Sequence, residues 1–200
     1  MKRIRPGLPP EFVADHKRRR IMEAMADLVA ARGYEATRIA DIVRRAGVAR
    51  KTLCDNFDGK EGLFLAAIDH SLDEVRADVE AACREAGGVW ERQVEAGLAA
   101  FLGFVEERPG AARTCLIEAL SATRASAARR DAALRDFAEL LREHAPDDDR
   151  LPATLAETVV GGVAWVVSQQ IRRGEEERAS ALLPELSRFV LAPYELPVDA

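Results

Sequence analysis

The residues able to do covalent or metal chemistry in this chain are few and far apart. Cys54, Cys83 and Cys115 are odd in number and widely spaced, and His16, His70 and His144 are equally scattered. A disulfide framework or a zinc site needs closely spaced pairs, and none is present. The sequence also lacks HExxH, GxSxG and GxxxxGK[ST]. The expectation is therefore a protein that is not an enzyme and needs no metal or cofactor. Polar chemistry concentrates instead in GVARKTLCDNFDGKEGLF, residues 47–64, where a glycine, two adjacent cations and several apolar anchors share one short stretch. That mixture suits contact with an anionic polymer better than catalysis.

Charge supports this reading. The 200 residues carry a net charge of −5, but residues 1–60 hold 14 Lys+Arg against 8 Asp+Glu, and the remainder 15 against 26. All four lysines, Lys2, Lys17, Lys51 and Lys60, lie in the first part. A basic head on an acidic body points to an anionic partner for the head alone. The longest apolar run, Val159–Val167, is about half of what a membrane span requires. With prolines where a signal peptide would be apolar, the expected location is cytoplasmic, away from membranes.

Apolar periodicity supplies the elements that must position these residues. Residues 1–14, Pro-rich and basic, are expected to form a mobile arm. From Asp15, the residues Ile21, Met25, Leu28 and Val29 share one helical face. Thr37 is placed to cap a short helix carrying Ile39, Ile42 and Val43. Gly47 makes the turn, and a second short helix runs from about Ala49 to Phe57. Asp58 and Glu61 have capping-box spacing for a longer helix. Breakers at Gly87-Gly88, Arg108-Pro109-Gly110, His144–Pro152 and Gly174 divide the rest into further helices. The fold class is all-α, with three expected regions: the arm 1–14, a basic head 15–60, and a body 61–200.

Helix, turn and helix of this size form a helix-turn-helix unit. Val48, Leu53 and Phe57 face inward and leave Arg50, Lys51, Cys54 and Asp55 facing out. Arg reads guanine edges with two hydrogen bonds. Thr37, Thr52 and Asn56 have short polar side chains suited to phosphates, and Arg38 and Ala49, at the starts of the two helices, are also expected at the DNA. Lys60, in the first turn of the next helix, would join that helix's free N–H groups on a phosphate. Cys54 reads as a small residue filling space, and reaction with oxidants, which the two neighbouring cations would favour, is the alternative.

Residues 15–68 resemble the DNA-binding domain of the TetR family of transcriptional regulators. The resemblance rests on Arg32-Gly33-Tyr34, Thr37, Ile39-Ala40, Ile42, Ala46-Gly47-Val48, Thr52-Leu53, Phe57, Lys60-Glu61 and Leu63-Phe64, which agree in order and spacing. The family commonly has Tyr at the position of Cys54, Ser at Ala49 and a small residue at Lys51. One backbone contact is thus exchanged for an added cation. The resemblance implies a dimer on double-stranded DNA, released by a small-molecule effector, as a bacterial repressor. An activator, or a protein acting through a protein partner, is the alternative.

The resemblance also implies that the body forms an effector pocket and a dimer interface from its last two long helices, near 153–173 and 179–192. Trp90, Phe101, Phe104, Cys115, Leu116 and Trp165 are the candidate pocket residues, which would favour an apolar or aromatic effector. Gly161 and Gly162 weaken a helix unless something approaches its backbone. With Val166, Gln169, Leu186 and Phe189 they are the candidate interface.

Overall fold

The computed structural model describes residues 10–146 and 151–195, and all regular structure among them is helical. The head begins with α1 (Pro10–Arg32), followed by α2 (Ile39–Ala46) and α3 (Arg50–Asn56). Ile21, Met25 and Val29 recur every four residues on α1 and are fully buried against Ile42 of α2 and Leu53 of α3. Burying side chains of this size from three directions locks two helices that are too short to persist alone.

The next helix, α4 (Gly59–Glu85), belongs to both halves of the molecule. Its first turns place Leu63, Phe64, Ala67 and Ile68 in the head core. Farther along, Val75, Val79 and Cys83 enter the body core. The head's packing thus reaches beyond residue 60. α5 (Trp90–Glu107) returns alongside α4. Gly97 allows this close approach, because a Cβ there would lie 2.9 Å from Cys83 Sγ.

The chain then passes through α6 (Pro109–Arg113), a π-helical turn Thr114–Glu118, and α7 (Ala119–Ala122). This interrupted helix separates the two cores. Cys115 and Ala119 pack with the head, whereas Leu116 and Ile117 pack with the body. The Thr114 hydroxyl donates to the Ala26 carbonyl of α1 at 3.0 Å, tying the turn to the head. α8 (Arg124–His144) starts at a capping box formed by Thr123 and Ser126. It runs parallel to α4, held by Arg129–Asp69 and Arg76–Asp136 ion pairs. α9 (Leu155–Arg172), a 3-10 turn (Glu176–Leu182) and α10 (Leu183–Glu195) complete the body.

Several local expectations change. α1 starts at Pro10 rather than Asp15, since proline at a first helical turn sacrifices no backbone bond. Residues 1–9 of the expected arm lie outside the described residues, as do residues 147–150 of the His144–Pro152 break. The N-cap of α2 is Arg38, with no side-chain capping bond. The Thr37 hydroxyl instead donates back to the Gly33 carbonyl at 2.9 Å. Asp58 occupies the N-cap of α4 but makes no side-chain capping bond, so the expected capping box does not form.

Candidate functional site

The outward surface of α3 is built by what lies beneath it. Leu53 is fully buried and Phe57 is 7% exposed, which sets the rotation of the helix. Arg50, Lys51, Cys54 and Asp55 are consequently exposed, as are Ala49 and Arg38. Gly47 makes the turn at φ 62°, a conformation that side chains rarely adopt. A Cβ there would also lie 2.8 Å from the Arg20 guanidinium.

Two nearby acids of α1 and α2 are committed elsewhere, while Asp55 of α3 is exposed. Asp41 pairs with Arg32 and Arg44, and Asp27 pairs with Arg45. Among the described residues, Arg38, Arg50 and Lys51 make no ion pair, so their charge is available to an anionic partner. Thr52 and Asn56 are half-buried. The Asn56 side-chain amide donates to the Thr52 carbonyl at 2.7 Å, while the Asn56 backbone carbonyl accepts from Arg18 at 3.0 Å.

Two expected phosphate contacts look different in three dimensions. Thr37 is 1% exposed and braces the α1–α2 turn from inside, so its hydroxyl does not reach the surface. Lys60 Nζ sits 4.1 Å from the centre of the Tyr34 ring and 3.4 Å from the Glu35 carbonyl. Its charge remains near the surface, but its position is set by an aromatic face. Arg18 is similarly fixed, 4.6 Å from the centre of the Phe57 ring. Sequence reasoning missed Arg18. Its signal was the Lys17-Arg18-Arg19-Arg20 run on α1.

The body encloses an elongated apolar cavity between α4, α5, α8 and α9. Its empty space is about 1100 Å³, including the part open to solvent. Trp90, Phe101, Phe104, Cys115 and Leu116 all line it. Trp165 does not: it is 64% exposed on α9. The inward positions of that helix go to Val159, Val163, Val167 and Ile171, so the ring is turned outward. Sequence reasoning missed the contribution of α8, where Arg130, Leu134, Phe137 and Leu141 face the cavity. The apolar stripe was visible, but its partner was not. Burial pushes the Cys115 thiol up to about 12, despite a nearby Ser71 hydroxyl, so this thiol stays protonated.

The candidate interface residues divide. Gly161, Gly162, Val166 and Gln169 are half-exposed, and Phe189 is 45% exposed. Gly162 accommodates Phe189, whose ring would lie 3.0 Å from a Cβ. Leu186 is 2% exposed in the chain's own core, because it faces the body side of α10. It is therefore not on the outward face. Trp165 joins that face, sharing it with Gly161 and Gln169 at four-residue spacing.

The fold and its charged face define a helix-turn-helix head on an all-helical body with an internal apolar cavity. The model of bacterial regulatory proteins, tetR family, matches residues 21–67. Over 75 residues the chain is 39% identical to the HTH-type transcriptional repressor ComR of Escherichia coli, covering 36% of this chain and 33% of ComR. Over 92 residues it is 30% identical to the HTH-type transcriptional activator FasR of Mycolicibacterium smegmatis, covering 46% of this chain and 42% of FasR. The chain thus matches less than half the length of either relative.

Across the fold, the transcriptional regulator FadR from Bacillus subtilis, solved with stearoyl-CoA, aligns with a TM-score of 0.74 at 15% identity. The alignment covers 86% of this chain and 97% of FadR. Residues 21–67 thus match the DNA-binding head of the TetR family of bacterial regulators, and the chain as a whole shares the fold of this solved structure.

Proposed function

We propose that this protein is a ligand-responsive regulator that binds a palindromic double-stranded DNA operator as a homodimer in the bacterial cytoplasm. The observation that carries the proposal is the pairing of one exposed surface with one interior space. Arg50 and Lys51 project from a helix locked by Leu53, and α4 joins that head directly to the body cavity. Arg50 reads base edges, while Lys51, Thr52 and Lys60 hold phosphates. Arg38 and Asn56 flank them. Thr37 acts from beneath, by holding the turn.

A small-molecule effector enters the cavity beside Trp90, Phe101, Phe104, Cys115 and Leu116. The stearoyl-CoA bound to FadR supports an effector with an apolar chain. Effector binding favours a body conformation in which the two heads no longer match the operator. Coupling of roughly 1–3 kcal/mol is typical for such linkage. The outward face bearing Gly161, Gly162, Trp165, Val166, Gln169 and Phe189 is the proposed dimer contact, which gives two heads for a two-fold symmetric site.

Release by effector makes the protein a repressor, as the name of ComR supports. The name of FasR supports activation as the second reading. Selection of bound sequences from a random DNA library, at two salt concentrations, tests the proposal. Recovery of a palindrome with two half-sites is the expected result. Binding that is sequence-independent and only salt-sensitive would overturn it and favour action through a protein partner.

A further inference from the structure

The cavity wall holds a clue to the chemistry of its occupant. Among the described residues no Asp or Glu lines it, and Arg130 is the one lining residue there with a permanent positive charge. The Arg130 side chain is 16% exposed, and its buried Nε has no hydrogen-bond partner among the described residues. Its ion-pair neighbour there is Asp131, at 3.7 Å from Nη1, and that carboxylate is 63% exposed to solvent. A guanidinium kept dry with an unused donor is costly, and an incoming anion that accepts from it removes the cost.

Position adds direction. Arg130 lies next to Arg129, whose pairing with Asp69 fixes that end of α8 beside the head-proximal part of α4. At the other end of the lining stands His144, whose Nδ1 is 2.9 Å from the Leu140 carbonyl. At 1.5 Å per residue, the distance along α8 from Arg130 to His144 is about 21 Å. Between them the α8 wall is Leu134, Phe137, Leu140 and Leu141 with Ala133. The space is long and apolar, with a cation near one end.

We infer that the effector is a long-chain carboxylate, with its carboxylate held by Arg130 and its chain lying along α8 toward His144. This rests on the cavity being the effector site. Arg130 supplies a planar pair of N–H donors that matches a carboxylate, and the described lining beside it holds no acid to pair with a cationic ligand. The chain contributes affinity by leaving water, about fourfold for each methylene buried.

Calorimetric titration of the full-length protein with dodecanoate, decanoate, dodecanol and dodecanoyl-CoA tests the inference. Wild type is expected to bind dodecanoate about 10- to 100-fold more tightly than dodecanol, the range for a hydrogen bond to a charged group. Decanoate is expected to bind about 15-fold more weakly than dodecanoate. Arg130→Met is expected to remove the preference for acid while leaving dodecanol binding unchanged, which also shows that the variant cavity is intact. Arg130→Lys is expected to retain part of the preference.

Equal binding of acid and alcohol by wild type overturns the inference without recourse to any variant. So does an Arg130→Met protein that keeps its preference for acid. Tighter binding of dodecanoyl-CoA than of dodecanoate, insensitive to Arg130→Met, reassigns the ligand to a thioester. If dodecanoate binds through Arg130 but leaves affinity for a selected operator unchanged, the ligand assignment stands and the effector role fails. If no chain binds while the operator does, the ligand assignment fails and the DNA-binding role stands.

Discussion

Replacing glycine by alanine at two helical positions should have opposite effects on stability. Gly110, in α6, lies against α1: a Cβ there would sit 2.5 Å from Asp27 Oδ1 and 3.2 Å from Asp27 Cα. The carboxylate can swing away, at the expense of its pairing with Arg45. The Cα cannot move without moving α1. Overpacking of this kind typically costs roughly 1–3 kcal/mol. Alanine returns at most about 1 kcal/mol of helix propensity, and less so near a helix start. The lost Asp27–Arg45 pair is 43% and 52% exposed, so it adds little.

Gly110→Ala should therefore destabilise by roughly 1–2 kcal/mol after setting these terms against each other. At about 2–4 °C per kcal/mol for a chain of this size, the melting temperature should fall by roughly 2–8 °C. Gly161 of α9 meets nothing within 4 Å, so Gly161→Ala in a dilute single subunit should gain about 1 kcal/mol. Thermal melts followed by circular dichroism provide the assay. An unchanged or raised melting temperature for Gly110→Ala would refute the close-approach reasoning. Destabilisation by Gly161→Ala would show that a second chain fills the space beside it.

Further consequences follow from the head and the thiols. Arg50→Ala should weaken operator binding by roughly 1–3 kcal/mol and relax preference at particular base pairs, while Lys60→Ala should weaken all sequences alike and lower the salt slope by about one. Competition titrations against base-substituted operators separate the two, and a uniform loss with Arg50→Ala would remove its base-reading role. Leu53→Ala should cost about 2–5 kcal/mol, because its side chain is fully buried under the recognition surface, and chemical denaturation would measure it. An alkylating reagent at neutral pH should modify exposed Cys54 and leave buried Cys83 and Cys115 intact until unfolding, as mass spectrometry of the labelled peptides would show. Since burial raises the Cys115 pKa from the ordinary 9.0 to about 12, the native state holds that proton longer than the unfolded chain does. Its contribution to stability is thus present below about pH 9 and is lost as pH rises toward about 12, a decline that Cys115→Ala should lessen in alkaline denaturation.

Residue spacing alone made the all-helical class and the outward side of α3 legible. Ile21, Met25 and Val29 announce a buried face by their spacing alone, and Leu53 with Phe57 decides which way Arg50 and Lys51 must point. Gly47 marks the turn because few other residues adopt its backbone angles. These are local properties, fixed by the 3.6-residue period and by steric limits within a few residues.

Which partner meets each face emerges from packing between distant helices. Thr37 has the chemistry of a cap or a phosphate ligand, but packing of α1 against α2 left its hydroxyl facing Gly33. Trp165 has the bulk of a pocket residue, yet Val163 and Val167 took the inward positions of its helix. Arg130 reads as one more surface cation on a charged helix until α4 and α8 enclose it beside the cavity. Spacing specifies that a side chain lies on a face. What covers that face depends on contacts between residues distant in the chain, as in the 88-residue separation between Thr114 and Ala26, and no local pattern encodes them.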